Sequence, residues 1–204
     1  LISEGSFFRS LSISFPFGGE GLKLRFNVSR LDYDVITKEF ASLGIAGVVD
    51  GKEVELSYPI HRSNKSNLNF SLLADDRSYL TKVGGSQVKN SSINSFKTEF
   101  SGNYFDQLGG GGANAASISF TRGKLDGFGV LPALIGKYDI YNYSLTRQQA
   151  LTEKLSLYGS IRGQFTDGLS SGSGQEDYLD SAENFSLGGL YGVRAYPSGE
   201  ATGA

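Results

Sequence analysis

Apolar and polar residues alternate with a period of two along most of the chain, as they do in a strand whose two faces meet different surroundings. The pattern is plainest at 22–29, LKLRFNVS. There Leu22, Leu24, Phe26 and Val28 share one face, and Lys23, Arg25, Asn27 and Ser29 share the other. LSISF at 11–15 sets Leu11, Ile13 and Phe15 against Ser12 and Ser14. EVELSYPI at 53–60 sets Val54, Leu56, Tyr58 and Ile60 against Glu53, Glu55 and Ser57. NLNFSLLA at 67–74 repeats the pattern. So does FKTEFSGNY at 96–104, with Phe96, Phe100 and Tyr104 opposite Lys97, Glu99, Ser101 and Asn103. Together with ASISFT (116–121), YNYSLT (141–146) and KLSLYGSIR (154–162), these runs predict about eight strands.

The links between the runs are short at 16–21, 61–66, 105–112 and 147–153. They are long at 34–50, 79–93, 123–136 and beyond 164, with IAGVV (45–49) read as a strand extension. In an antiparallel meander, alternate links fall at opposite ends of the sheet. Short turns at one end and long loops at the other are how outer-membrane barrels are built. Pro16, Pro132 and Pro197 fall in links and Pro59 at a strand end, so none removes an N–H from the middle of a ladder. The Gly/Ser-rich, acidic DGLSSGSGQED at 167–177 reads as a flexible surface loop.

The position of the charges separates a barrel in lipid from a soluble sandwich. Arg25, Glu53, Glu55, Lys97, Glu99 and Arg162 all fall on polar faces, where they can pair across a lumen. The apolar faces carry no charge in mid-strand, as a lipid-facing band requires. Tyr58 and Tyr104 fall near short links, where an interfacial aromatic girdle belongs. The expected fold class is therefore all-β, an antiparallel transmembrane β-barrel.

Composition narrows the chemistry. The 204 residues include no Met, so there is no start residue and a segment of something larger is expected. Cys is absent, which excludes disulfides and thiolate chemistry. Net charge is −2, which gives no bulk attraction to nucleic acid. Hydrophobic content is 39% with no long apolar run, so a helical membrane protein is excluded. His61 is the one histidine and sits in a charged turn, so neither a zinc site nor a Ser-His-Asp arrangement can form. Glu53 and Glu55 point the same way, and lumen polarity explains them better than acid–base work. GGGG at 109–112 lacks the following helix and Lys-Ser/Thr of a phosphate loop. Asp32, Asp34, Asp75 and Asp76 do not have the spacing of an EF-hand. No catalytic, cofactor-binding or metal site is expected, and no enzyme.

Two stretches resemble a known family. At 22–78 a strand runs into a Tyr, a loop ends in a Gly-containing segment, and a Ser57-Tyr58-Pro59-Ile60-His61-Arg62-Ser63 turn follows. At 182–203 stand Glu183, Phe185, Leu187, Gly188 and Gly189, then Val193, Arg194, Ala195 and Tyr196, with Gly163–Gln164 upstream. The second stretch is the more specific. Both resemble the transporters of bacterial two-partner secretion, the haemolysin secretion/activation family within the Omp85 superfamily. That family has Gly where Ala195 stands, so the conformation of the tip is open.

The resemblance implies two periplasmic POTRA domains ahead of a sixteen-strand barrel, and residues 1–204 as part of that barrel. Residues 165–204 would be the large extracellular loop that folds into the lumen. Its tip, Gly188, Gly189 and Val193–Tyr196, would place Arg194 against an Asp of a later strand. The implied location is the bacterial outer membrane. The implied partners are a secreted exoprotein, outer-membrane lipid, and POTRA domains and later strands of the same chain. Passage would need no ATP. An Omp85-type insertase shares the arginine motif, and a passive porin or a soluble β-sandwich adhesin also remains open at this point.

Overall fold

The computed structural model describes residues 2–3, 5–36, 38–130, 134–167, 179, 183, 185–186 and 202–203. One antiparallel sheet holds nine strands in sequence order. A two-residue strand β1 (Ile2–Ser3) leads into eight long ones. These are β2 (Ser6–Phe17), β3 (Leu22–Asp34), β4 (Ile45–Arg62), β5 (Ser66–Val83), β6 (Ser86–Asp106), β7 (Gly112–Phe128), β8 (Gly136–Thr152) and β9 (Leu155–Asp167). A separate two-stranded ladder joins β10 (Phe185–Ser186) to β11 (Thr202–Gly203). Seven of the eight predicted runs lie inside one of β2–β8, and the eighth, 154–162, starts one residue before β9.

Register fixes the two faces, because residues paired across antiparallel strands point the same way. One row runs Phe15, Leu24, Leu56, Leu72, Thr98, Phe120, Tyr141, Phe165. It belongs to a continuous apolar band that also holds Phe26, Phe70, Phe100, Ile118, Tyr143, Leu145 and Ile161. Among the described residues nothing covers this band: Ile118 is 59% exposed and Ile161 62%. An apolar face this broad is stable only against lipid or another apolar surface. Charged pairs bound it on both sides. Arg122 with Asp139 lies above it, and Arg147 with Asp106 lies below. From Asp139 to Arg147 is roughly 26 Å at ~3.3 Å per residue, or about 20 Å along the normal for a strand tilt of ~40°. That matches a lipid-facing band.

Strand extent departs from the sequence reading. Residues 79–93, expected as a long polar loop, are strand on both sides of a two-residue turn, Gly84–Gly85. Both glycines have positive φ, 56° and 82°, as a tight hairpin turn requires. Above the band the outer face turns polar and the inner face mixes polar residues with Tyr79 and Ile93, so alternation fades although the ladder continues. The turn at 84–85 therefore breaks the expected short–long alternation, and that end is instead elongated by paired strand. Likewise 123–128 belongs to β7, and Arg147–Thr152, expected as a link, belongs to β8. Arg147 there donates to Asp106 Oδ2 at 2.6 Å, and Gln149 Nε2 donates to the Leu108, Gly109 and Gly111 carbonyls, which fixes the 107–111 turn. The turns at 18–21, 63–65, 107–111 and 153–154 share one end of the sheet.

Candidate functional site: the inner wall

The face opposite the apolar band is largely polar at the level of the band, and carries a buried apolar cluster higher up. One row runs Arg25, Glu55, Leu73, Lys97, Thr121, Ile140, Thr166. The next row down runs Ser57, Ser71, Glu99, Ser119, Asn142, Gln164, and Arg162 stands one row further, opposite Ser144. Glu53 lies one row up, between Asn27 and Asp75. Arg25, Glu53, Glu55, Lys97, Glu99 and Arg162 thus share a face, in two clusters and one outlier. Arg25 pairs with Glu55 across β3 and β4. Asn27 Nδ2 donates to Glu53 Oε2 at 3.1 Å. Lys97 pairs along its own strand with Glu99 at 2.6 Å.

A further cluster sits higher on the same face, above the apolar band, and pattern reading did not single it out. Arg77 on β5 donates through Nε to Asp75 Oδ2 at 2.6 Å and through Nη1 to the Tyr79 hydroxyl at 3.4 Å. Its Nη2 pairs with Glu183, from the segment after β9. The Glu183 carbonyl accepts from Gln164 Nε2 at 3.1 Å. Beside this cluster Leu179 is buried against Ile93, Leu125, Tyr138 and Ile140, with Tyr79, Val130 and Leu134 packed around them. Asp75 and Asp76 point to opposite faces, so they do not share a ligand site. A signal was present, since 75–79 (DDRSY) places charge on both faces of a strand, but its partner lies more than a hundred residues away.

The cluster depends on glycines in neighbouring strands. Tyr138 lies flat over Gly123, directly across the ladder, as Tyr33 does over Gly47. A Cβ at Gly123 would overlap the Tyr138 ring. Glycine here makes room for an aromatic ring to pack along the wall and restores the cover that a side chain would give.

The loop-tip residues Gly188, Gly189, Val193, Arg194, Ala195 and Tyr196 lie outside the described residues.

A meander of long strands with a lipid-facing band outside and a charge-laddered wall inside defines part of an outer-membrane β-barrel. Residues 4–204 match the family model of the haemolysin secretion/activation proteins ShlB/FhaC/HecB, and the chain belongs to that family. Its members are outer-membrane β-barrel transporters, which sets aside a soluble adhesin. Among solved structures the fold is similar to that of CdiB from Acinetobacter baumannii, with a TM-score of 0.64 and 16% identity. The likeness covers 94% of this chain and 33% of CdiB, so the chain spans about a third of that protein's length. A search of curated protein sequences finds no match.

Proposed function

We propose that this chain forms part of the conduit of a two-partner secretion transporter, which passes a large exoprotein across the outer membrane without ATP. The observation that carries this is the pairing of faces. A continuous polar wall with alternating cations and carboxylates lies behind a continuous apolar band. An extended polypeptide sliding along such a wall exchanges hydrogen bonds with side chains, and the apolar cluster higher on the wall is covered by Leu179. No nucleotide is needed if folding outside prevents return.

The segment after β9, residues 168–204, is proposed as the loop that folds into the lumen and gates it, since 165–167, expected in that loop, pair with β8. The Arg77–Glu183 pair, the Gln164 bond to Glu183 and the burial of Leu179 on the inner face support that reading. The tip with Arg194 would then dock on an Asp of a later strand, with POTRA domains receiving the exoprotein on the periplasmic side.

The test uses the full-length transporter with its cognate exoprotein in a deletion strain. Arg194→Ala should leave the barrel in the membrane at normal level and reduce exoprotein in the medium at least tenfold. Undiminished secretion refutes the gating role. If secretion persists when the whole gene is deleted, while other outer-membrane proteins fail to assemble, the protein is an insertase and not this transporter.

A further inference from the structure

We infer that the outward face directly above the apolar band binds the phosphate groups of an outer-leaflet lipid. This rests on the reading that the band faces lipid. Two adjacent cross-strand rows build the site. The lower runs Val54, Ala74, Phe96, Arg122, Asp139 across β4–β8. The upper runs Lys52, Asp76, Asn94, Lys124, Lys137 across the same strands. A groove of about 860 Å³ follows both rows. Val54, Ala74 and Phe96 give it an apolar floor; four cations share the two rows with Asp76 and Asp139, and Asp50 and Asp126 stand in the row above.

Two of these cations are occupied. Arg122 makes a two-pronged pair with Asp139 at 2.8 and 2.6 Å, and Lys124 meets Asp126 at 3.0 Å. Lys52 and Lys137 have no ion-pair partner among the described residues. Lys124 and Lys137 also stand directly opposite each other in the ladder. Like charges at facing positions disfavour the sheet. The comparable pair on this face, Arg9 opposite Arg30, is bridged by Asp32, which contacts each at 3.1 Å. Among the described residues no carboxylate bridges Lys124 and Lys137. A bound anion would.

Position selects the source of that anion. Immediately below the lysines lie Phe96, Phe120 and Tyr141, and the Arg122 guanidinium sits 5.6 Å from the Phe120 ring centre. A phosphorylated lipid lays its acyl chains along this floor and its phosphates on the lysines. Free phosphate would satisfy the cations and leave the floor bare. The short turns mark the opposite end as periplasmic, so the site lies at the outer leaflet.

The experiment takes the full-length transporter in neutral detergent and measures lipid binding by native mass spectrometry. The probes are a bis-phosphorylated acylated glucosamine disaccharide (lipid A), the same lipid stripped of phosphate, and inorganic phosphate. The bis-phosphorylated lipid should bind, and the stripped lipid should bind more weakly. Lys124→Ser/Lys137→Ser should weaken binding of the former by roughly 30-fold, each lysine contributing roughly fivefold beside an anionic surface. Lys23→Ser, on the inner face, should leave it unchanged. Because the double variant removes a like-charge pair, its heat-modifiability midpoint without lipid should equal or exceed the parent's. Equal binding of both lipids, an unchanged double variant, or inorganic phosphate competing at equal concentration each overturns the lipid site. Fractionation separates the two readings. A protein that inserts in the outer membrane yet shows no phosphate preference defeats this inference alone, whereas one that never inserts defeats the barrel reading beneath it.

Discussion

Arg77→Met removes the one cation that joins Asp75 of the wall to Glu183 of the following segment, and it keeps an apolar stem of similar length. The Arg77 side chain is 28% exposed, against 7% for Asp75 and 11% for Glu183, so both carboxylates lose their counter-charge in a largely dry place. Breaking a fully buried pair costs about 3–5 kcal/mol. Some solvent reaches Arg77, which lowers the cost below that of a fully buried pair. We therefore expect about 2–3 kcal/mol lost from docking of the segment on the wall, a shift of about 30- to 150-fold in the docked fraction.

Leu179 reports this directly. It is 5% exposed in the docked state, and none of the 204 residues is Cys. In full-length protein carrying Leu179→Cys as its sole thiol, maleimide labelling should be about 30- to 150-fold faster with Arg77→Met than without. Glu183→Gln should accelerate labelling similarly, and the two changes together should add little, because they break one interaction. A labelling rate within threefold of the parent's would refute the argument that this pair holds the segment.

Facing is tested by neighbours on β6. Phe100→Lys places a charge in the lipid-facing band and should cost about 2–4 kcal/mol of barrel stability. Ser101→Lys, on the polar face one residue on, should leave the heat-modifiable band intact, and equal effects would overturn the assignment of faces. Gly123→Val drives a side chain into the Tyr138 ring and should cost about 1–3 kcal/mol in urea unfolding from bilayers. Gly159→Ala, with nothing within 4 Å of the new Cβ, should change stability little. If the two glycine variants unfold alike, the Tyr138 ring does not depend on Gly123.

The sequence by itself determined the strands and their two faces. Wherever one face meets lipid and the other water, residues such as Leu22–Ser29 must alternate, and a one-residue slip of β3 would turn Lys23 and Arg25 into the membrane. The sequence could not reveal how far strands run beyond the lipid. At 75–83 and 86–95 the outer face has left the lipid and the inner face packs Tyr79 and Ile93 among polar residues, so the period of two disappears while the backbone ladder continues. It also could not reveal which charges meet. Arg77 finds Glu183, Lys124 faces Lys137, and Arg147 caps a turn forty residues upstream, only because register brings them together. Alternation is a local consequence of where each side chain's solvent lies, whereas these pairings are set by the summed register of eight strands, which only the folded sheet fixes.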